Sequence, residues 1–228
     1  MKRIISLVLL LLLICLLDSC TDFSVSETAE LEDDDEIHHI TRMGLYAFCD
    51  CWVTSPIVEG VVQFEKDNKY GFMDTMGNVI IPAEFEITGW WSEGRGGLKK
   101  DGKWGFCDRN GSIVIDYKYE WAGEFYHGLA PVENDSFMFG YINTEGEVVI
   151  PFKYDRAGCF YEGLAAVKAG NQWGFIDTSD AVAIPFQFSD VTMGFQNDTA
   201  VVRFSDYGGY RYIDHQGNDL GPHAFLND

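Results

Sequence analysis

Thiols, imidazoles and carboxylates define the chemistry open to this 228-residue chain. Cys49 and Cys51 form a Cys-x-Cys pair. A metal there would need two further ligands that the neighbouring residues do not offer. A disulfide and a pair of free thiols both remain open readings. Cys107 falls at a position taken elsewhere by Met73, Ile142 and Ile176, so it reads as a buried hydrophobe, while Cys159 reads as a loop residue near the surface. Histidines are few. His38 and His39 end an acidic run and read as part of a solvated segment rather than as ligands. His127 stands where Glu93 and Glu162 stand at related positions, and His215 lies in a hairpin turn. No serine or cysteine sits in a recognisable nucleophile setting, and there is no phosphate loop or dinucleotide fingerprint. Asp74, Asp108, Asp177 and Asp214 recur once per unit, which marks them as turn formers. An acid pair for glycoside chemistry would need positions that break the repeat. The expectation is a non-enzyme with no catalytic residue, no metal and no cofactor.

The aromatic residues that vary between related positions are the stronger lead. Trp90, Glu124 and Cys159 share one position; Trp121 and Arg156 share another; Tyr126 and Tyr161 share a third. Variable positions are poor candidates for a core. Trp90, Trp121, Tyr126 and Tyr161 are therefore the candidate ligand-binding residues, as a patch suited to a peptide or a sugar ring. The competing reading packs the same rings under the connecting loops.

These residues are positioned by a unit that recurs. Tyr70-Gly71-Phe72-Met73-Asp74 returns as Trp104-Gly105-Phe106-Cys107-Asp108, Phe139-Gly140-Tyr141-Ile142-Asn143 and Trp173-Gly174-Phe175-Ile176-Asp177. A fifth, worn copy is Tyr210-Arg211-Tyr212-Ile213-Asp214. The second positions, 71, 105, 140, 174 and 211, are 34 to 37 residues apart. Three residues after the acid comes Gly77, Gly111, Gly146, Asp180 or Gly217, and then a β-branched run such as Val79-Ile80-Ile81 or Ile113-Val114-Ile115. Pro82, Pro151 and Pro185 close three of these runs, and Phe85, Tyr119, Tyr154 and Phe188 follow three residues later. An aromatic-x-x-Gly and a short apolar stretch complete the unit, as in Phe125 to Val132 and Phe160 to Val167.

Three short strands per unit follow from this pattern, joined by tight turns and trailed by a crossing loop of about 12 residues. Alternation puts Trp173 and Phe175 on one face, Gly174 and Ile176 on the other, and the glycine admits close approach of a ring or backbone. Such a unit cannot bury its own apolar face; stacked neighbours can. The abundance of aromatics (15%) and glycine (24 residues) agrees with short strands and tight turns.

Lys103-Trp104-Gly105-Phe106 and Gln172-Trp173-Gly174-Phe175, with the Val-Ile-Pro and Glu-Gly-Leu-Ala segments, resemble WG-containing (KWG) repeats. The resemblance runs from about Glu59 to Asp219 and implies a bacterial β-repeat protein with no established common activity. Tyr70, Phe139, Arg211 and Asp116 depart from the pattern. The expected fold is all-β: tandem ~35-residue β-meander repeats forming an open, curved β-array, with a small β-propeller as the alternative.

The amino terminus reads as an address. Lys2 and Arg3 precede an apolar run from Ile4 to Leu17, short for a membrane span and suited to a secretory signal. Leu17-Asp18-Ser19-Cys20 resembles a bacterial lipobox, which implies lipidation of Cys20; Asp18 is its departure from that pattern. Residues 21–40, with Glu27, Glu30, Glu32, Asp33, Asp34, Asp35 and Glu36 and no Lys or Arg, read as a self-repelling tether. The expected organisation is a signal peptide over 1–19, the tether over 20–40 and a repeat domain over 41–228, with about five units and two caps. The net charge of −20 excludes nucleic acid as a partner. The sequence thus points to a protein lipid-anchored to the bacterial membrane, at the outer membrane or surface. It would bind an envelope protein or glycan without catalysis; a structural or assembly role and an envelope hydrolase are the alternatives.

Overall fold

A computed structural model describes residues 52–204 and 209–223, the backbone alone at residue 52. Among them there is no helix, and the nineteen strands form antiparallel meanders in succession. The first sheet is β1 (Trp52–Val53), β2 (Val61–Lys66), β3 (Lys69–Asp74) and β4 (Val79–Phe85), in that spatial order. The second is β5 (Ile87–Ser92), β6 (Arg95–Lys100), β7 (Lys103–Cys107) and β8 (Ile113–Tyr119). The third is β9 (Trp121–Ala122), β10 (Leu129–Glu133), β11 (Phe139–Asn143) and β12 (Val148–Tyr154). The fourth sheet has seven strands and begins with β13 (Arg156–Ala157), β14 (Leu164–Ala169), β15 (Gln172–Asp177) and β16 (Val182–Gln196). It continues through β17 (Thr199–Phe204), β18 (Tyr210–Ile213) and β19 (Asp219–Pro222); β16 pairs with β15 through its first half and with β17 through its second, so this sheet carries the fourth and fifth units.

Each unit therefore has four strands, the last two units sharing β16, not the three read from the sequence. The extra strand is the short first one, such as Trp121–Ala122, lying inside what reads as a crossing loop. It pairs with the meander that follows it, so about 35 residues suffice for four strands. The last strand also runs on through its proline to the following aromatic, as in Val79–Phe85. Proline is tolerated because β4 is the edge strand of its sheet. The tandem β-meander architecture is as expected. No strand of the first unit packs extensively on a strand of the fifth unit among the described residues, so the array is open.

The glycine of the recurring motif faces the last strand of its own sheet. A Cβ on Gly105 would sit 2.5 Å from the Ile115 carbonyl oxygen, and Gly140 and Gly174 are closed in the same way by Ile150 and Ile184. The ladder is bulged there: Trp104 pairs with Tyr119 and Phe106 with Ile115.

Alternation along the motif strand sends the two flanking residues to different cores. Phe175 packs toward the next unit with Phe195 and Ile213, whereas Ile176 packs toward the previous one with Tyr141 and Phe160. Every seam repeats one aromatic contact: Phe72 on Trp91 at 5.2 Å, Phe106 on Phe125 at 5.0 Å, Tyr141 on Phe160 at 4.9 Å and Phe175 on Phe195 at 5.0 Å. A second layer crosses the seams through Phe85 with Tyr117, Tyr119 with Phe152 and Tyr154 with Phe186. Each such pair adds roughly 0.5–1.5 kcal/mol beyond area burial. The core thus lies between units, which is why one unit alone cannot fold.

Candidate functional site

The repeated acids are committed to turns. Asp74 Oδ1 accepts the N–H groups of Met76 (2.9 Å) and Asn78 (2.8 Å). Asp108, Asn143, Asp177 and Asp214 repeat this pair of bonds in their own hairpins. Hydrogen bonds to the ionised form hold the aspartates below the usual carboxylate range. The leading donor is Asn78 for Asp74, the Ser112 amide for Asp108, Ser179 for Asp177 and Asn218 for Asp214. A carboxylate held ionised by its own hairpin is poorly suited to proton transfer at neutral pH.

A second set of acids joins neighbouring units. Glu59, Glu93 and Glu162 each begin a tight turn at positive φ, and each reaches the turn 35 or 36 residues on. Glu59 accepts the Gly94 N–H (3.1 Å) and Trp91 Nε1 (3.2 Å), Glu93 accepts the Gly128 N–H (2.8 Å), and Glu162 accepts the Asp198 N–H (3.1 Å). This explains the recurring Glu-Gly dipeptide: the glutamate clasps the next turn. Burial opposes ionisation of Glu59, but the bonds from Arg109, Gly94 and Trp91 outweigh it and lower its pKa. His127 occupies the same position in the third unit. Asp180 replaces the turn glycine in the fourth copy at φ +70°. Its carboxylate accepts the Tyr154 hydroxyl (2.6 Å) and pairs with Lys153 (2.5 Å), a further bond across a seam.

The four candidate aromatics divide into two pairs. Trp90, on β5, is 53% exposed and Trp121, on β9, is 39% exposed. Trp90 lines a surface crease with Ser55, Pro56, Gln63 and Trp91 that has no room for a water molecule. Trp121 leans on Phe139 (5.7 Å), over which the Arg156 guanidinium also sits (5.7 Å), and Arg156 pairs with Glu133 at 3.7 Å. Both tryptophans stand on the first-strand edge of consecutive sheets. Tyr126 and Tyr161 are half-buried and meet each other across a seam at 4.8 Å, and Tyr126 packs against the core between the third and fourth units. Burial raises the Tyr161 hydroxyl well above its usual value.

Cys107 is fully buried, and burial pushes its thiol up to about 12. Cys159 is less exposed than the sequence implies: its thiol faces Glu124 at 3.5 Å, and burial, helped by that carboxylate, pushes it up to about 12. Neither is an activated nucleophile. Cys20, Cys49, Cys51, His38 and His39 lie outside the described residues.

One exposed feature escapes a search for unlike positions because it is repeated. Val79, Ile113, Val148 and Val182 are all exposed at one position of four consecutive units, at the start of each last strand. Their β-branched character signals strand, and only the sheet order shows that β4, β8 and β12 are edges, whereas β16 gains β17 as a neighbour from Phe188 on.

Fold and site together define a class: a tandem β-meander repeat protein. The model of the WG containing repeat matches residues 70–104, 104–136, 139–173 and 173–207, more than half of the chain. The chain belongs to the WG-containing repeat family. No curated protein matches it in sequence. Among solved structures, the computationally designed Ika8 protein is similar at 12% identity and a TM-score of 0.51, over 73% of this chain and 59% of that one. BamB from Moraxella catarrhalis (13% identity, 73% and 59%, TM-score 0.46) and Kluyveromyces lactis Hsv2 (9%, 72% and 60%, 0.46) are more distant in fold. The chain spans about three-fifths of the length of each of these structures. The likeness to Ika8 is one of fold alone.

Proposed function

We propose that this protein is a lipid-anchored, non-catalytic binding module of the bacterial cell envelope, with Trp90 and Trp121 as its contact residues for a protein or glycan. The observation that carries the reading is the exposure of these two rings on neighbouring sheet edges, while the aromatics of the repeat itself fill the seams. An exposed indole beside an Arg–Glu pair, as at Trp121, offers a flat apolar face with polar groups at its rim. The turn and seam roles of the repeated acids favour a non-enzyme over an envelope hydrolase. The lipobox-like Leu17-Asp18-Ser19-Cys20 supports an anchor at Cys20, at the outer membrane or surface, with the acidic residues 21–40 as spacer. Cys20→Ala tests the address: release from the membrane fraction is expected, and unchanged attachment refutes the anchor. A photoreactive residue at position 121 should give adducts in cells that are absent from position 113; equal labelling at both refutes the patch.

A second reading, a structural or assembly role, is favoured by the exposed row of Val79, Ile113, Val148 and Val182. Native mass and crosslinking separate the two, because a monomer without envelope neighbours excludes assembly.

A further inference from the structure

The seam between the fourth and fifth units differs from its sisters in a way that creates a cation site. In the first seam, Glu59 begins one turn, Gly94 is the second residue of the next turn, and Arg109 follows the hairpin aspartate Asp108. Glu59 accepts the Gly94 N–H and pairs with the Arg109 guanidinium at 3.1 Å. One anion thus meets one permanent cation. In the last seam Glu162 holds the place of Glu59, Asp198 that of Gly94, and His215, which follows Asp214, that of Arg109. The backbone bond survives, from the Asp198 N–H to Glu162 at 3.1 Å. Two carboxylates now face an imidazole in place of a guanidinium.

We propose that Glu162, Asp198 and His215 bind a divalent transition-metal ion such as zinc. One ligand atom from each of the three lies within 4.8 Å of the others. His215 Nε2 is 3.3 Å from Glu162 Oε2, and its ring is stacked on Phe195 at 4.2 Å and 19°, which fixes the direction in which the nitrogen points. Donors around a tetrahedral ion with bonds of about 2.0–2.1 Å stand about 3.4 Å apart. Small rotations of the exposed Glu162 and Asp198 side chains close the remaining distance. One imidazole and two carboxylates suit zinc, cobalt or nickel better than calcium, which prefers a larger all-oxygen shell. With a neutral imidazole the trio carries two negative charges, which one divalent ion neutralises. The site joins two units, with Glu162 from the fourth and Asp198 and His215 from the fifth, so an ion would clamp the last unit onto the array. A fourth coordination position stays open to water or to a donor from a partner.

The test uses the full chain with His38→Ala and His39→Ala, so that the acidic amino-terminal segment contributes no imidazole. Zinc is titrated by calorimetry, and cobalt by visible absorption, into this protein and into Asp198→Gly and His215→Arg versions of it. Both substitutions restore the residue of the first seam, so the fold is retained, as circular dichroism verifies. Glu162→Gln is a third variant that keeps a hydrogen-bond acceptor for the Asp198 N–H. One zinc per chain is expected, with affinity falling at least tenfold in each variant, and with metal-dependent thermal stabilisation only in the parent. No saturable binding up to about 1 mM zinc overturns the proposal. So does equal affinity in the parent and the variants.

Discussion

Phe160 lies in a segment that reads as loop, yet it is fully buried and fills the seam between the third and fourth units. Its ring meets Tyr141 at 4.9 Å within a cluster that includes Ile150, Ala165, Val167 and Ile176. Phe160→Ala removes that ring and leaves a hole bounded by strands from two sheets. Buried Phe→Ala changes cost about 3–5 kcal/mol, and the close-packed sheet backbones around the ring limit collapse of the hole. A domain of this size loses about 2–4 °C of Tm per kcal/mol, so the midpoint should drop by roughly 6–20 °C. Phe137, exposed at the tip of the β10–β11 hairpin, is the control, and Phe137→Ala should change stability by less than about 0.5 kcal/mol. Urea unfolding followed by tryptophan fluorescence gives both values. Amide exchange should show the loss shared by the third and fourth sheets, because the ring belongs to both. A Phe160→Ala loss below about 1 kcal/mol, or one confined to a single sheet, refutes the placing of the core between units.

Three further outcomes follow from the turns and seams. Gly105→Ala should cost about 1–3 kcal/mol through its clash with the Ile115 carbonyl, measured by urea unfolding, whereas the β-strand itself would tolerate alanine if that space were free. Glu93→Ala should accelerate hydrogen exchange at the Gly128 amide several-fold, with a global cost of no more than about 1.5 kcal/mol, since it breaks one bond between exposed turns. Asp74, Asp108, Asp177 and Asp214 have folded pKa values below the ordinary 3.8. Their stabilisation is complete above that value and is lost as pH falls through the lower folded values, so Tm should decline below about pH 4. Asp→Asn at all four positions should flatten that decline.

Much of this was legible because the repeat states it several times. The Asp-x-x-Gly turns, the close approach at Gly105 and the opposite facing of Phe175 and Ile176 follow from local pattern alone. Trp121–Ala122 and Arg156–Ala157 did not announce themselves as strands, since two residues have no period. The Glu93 clasp joins residues 35 apart, and its carboxylate has no partner within its own unit. Tyr126 and Tyr161 varied in type between units yet pack partly inside, because the seam tolerates either a serine, as at Ser92, or a ring. The Glu162–Asp198–His215 trio was hidden for a related reason: each residue looks like a minor departure, and only the fold brings the three departures to one seam.

The proposed binding function places its contacts at Trp90 and Trp121, and co-sedimentation with isolated envelope material tests that proposal most directly. The chain carries Cys20→Ala so that a lipid cannot cause sedimentation, and Trp90→Ala/Trp121→Ala is compared with Val79→Ser/Val148→Ser. Saturable binding should weaken at least tenfold in the tryptophan variant and persist in the valine variant, with both folded. Absence of saturable binding by the parent, or equal binding by the tryptophan variant, contradicts it.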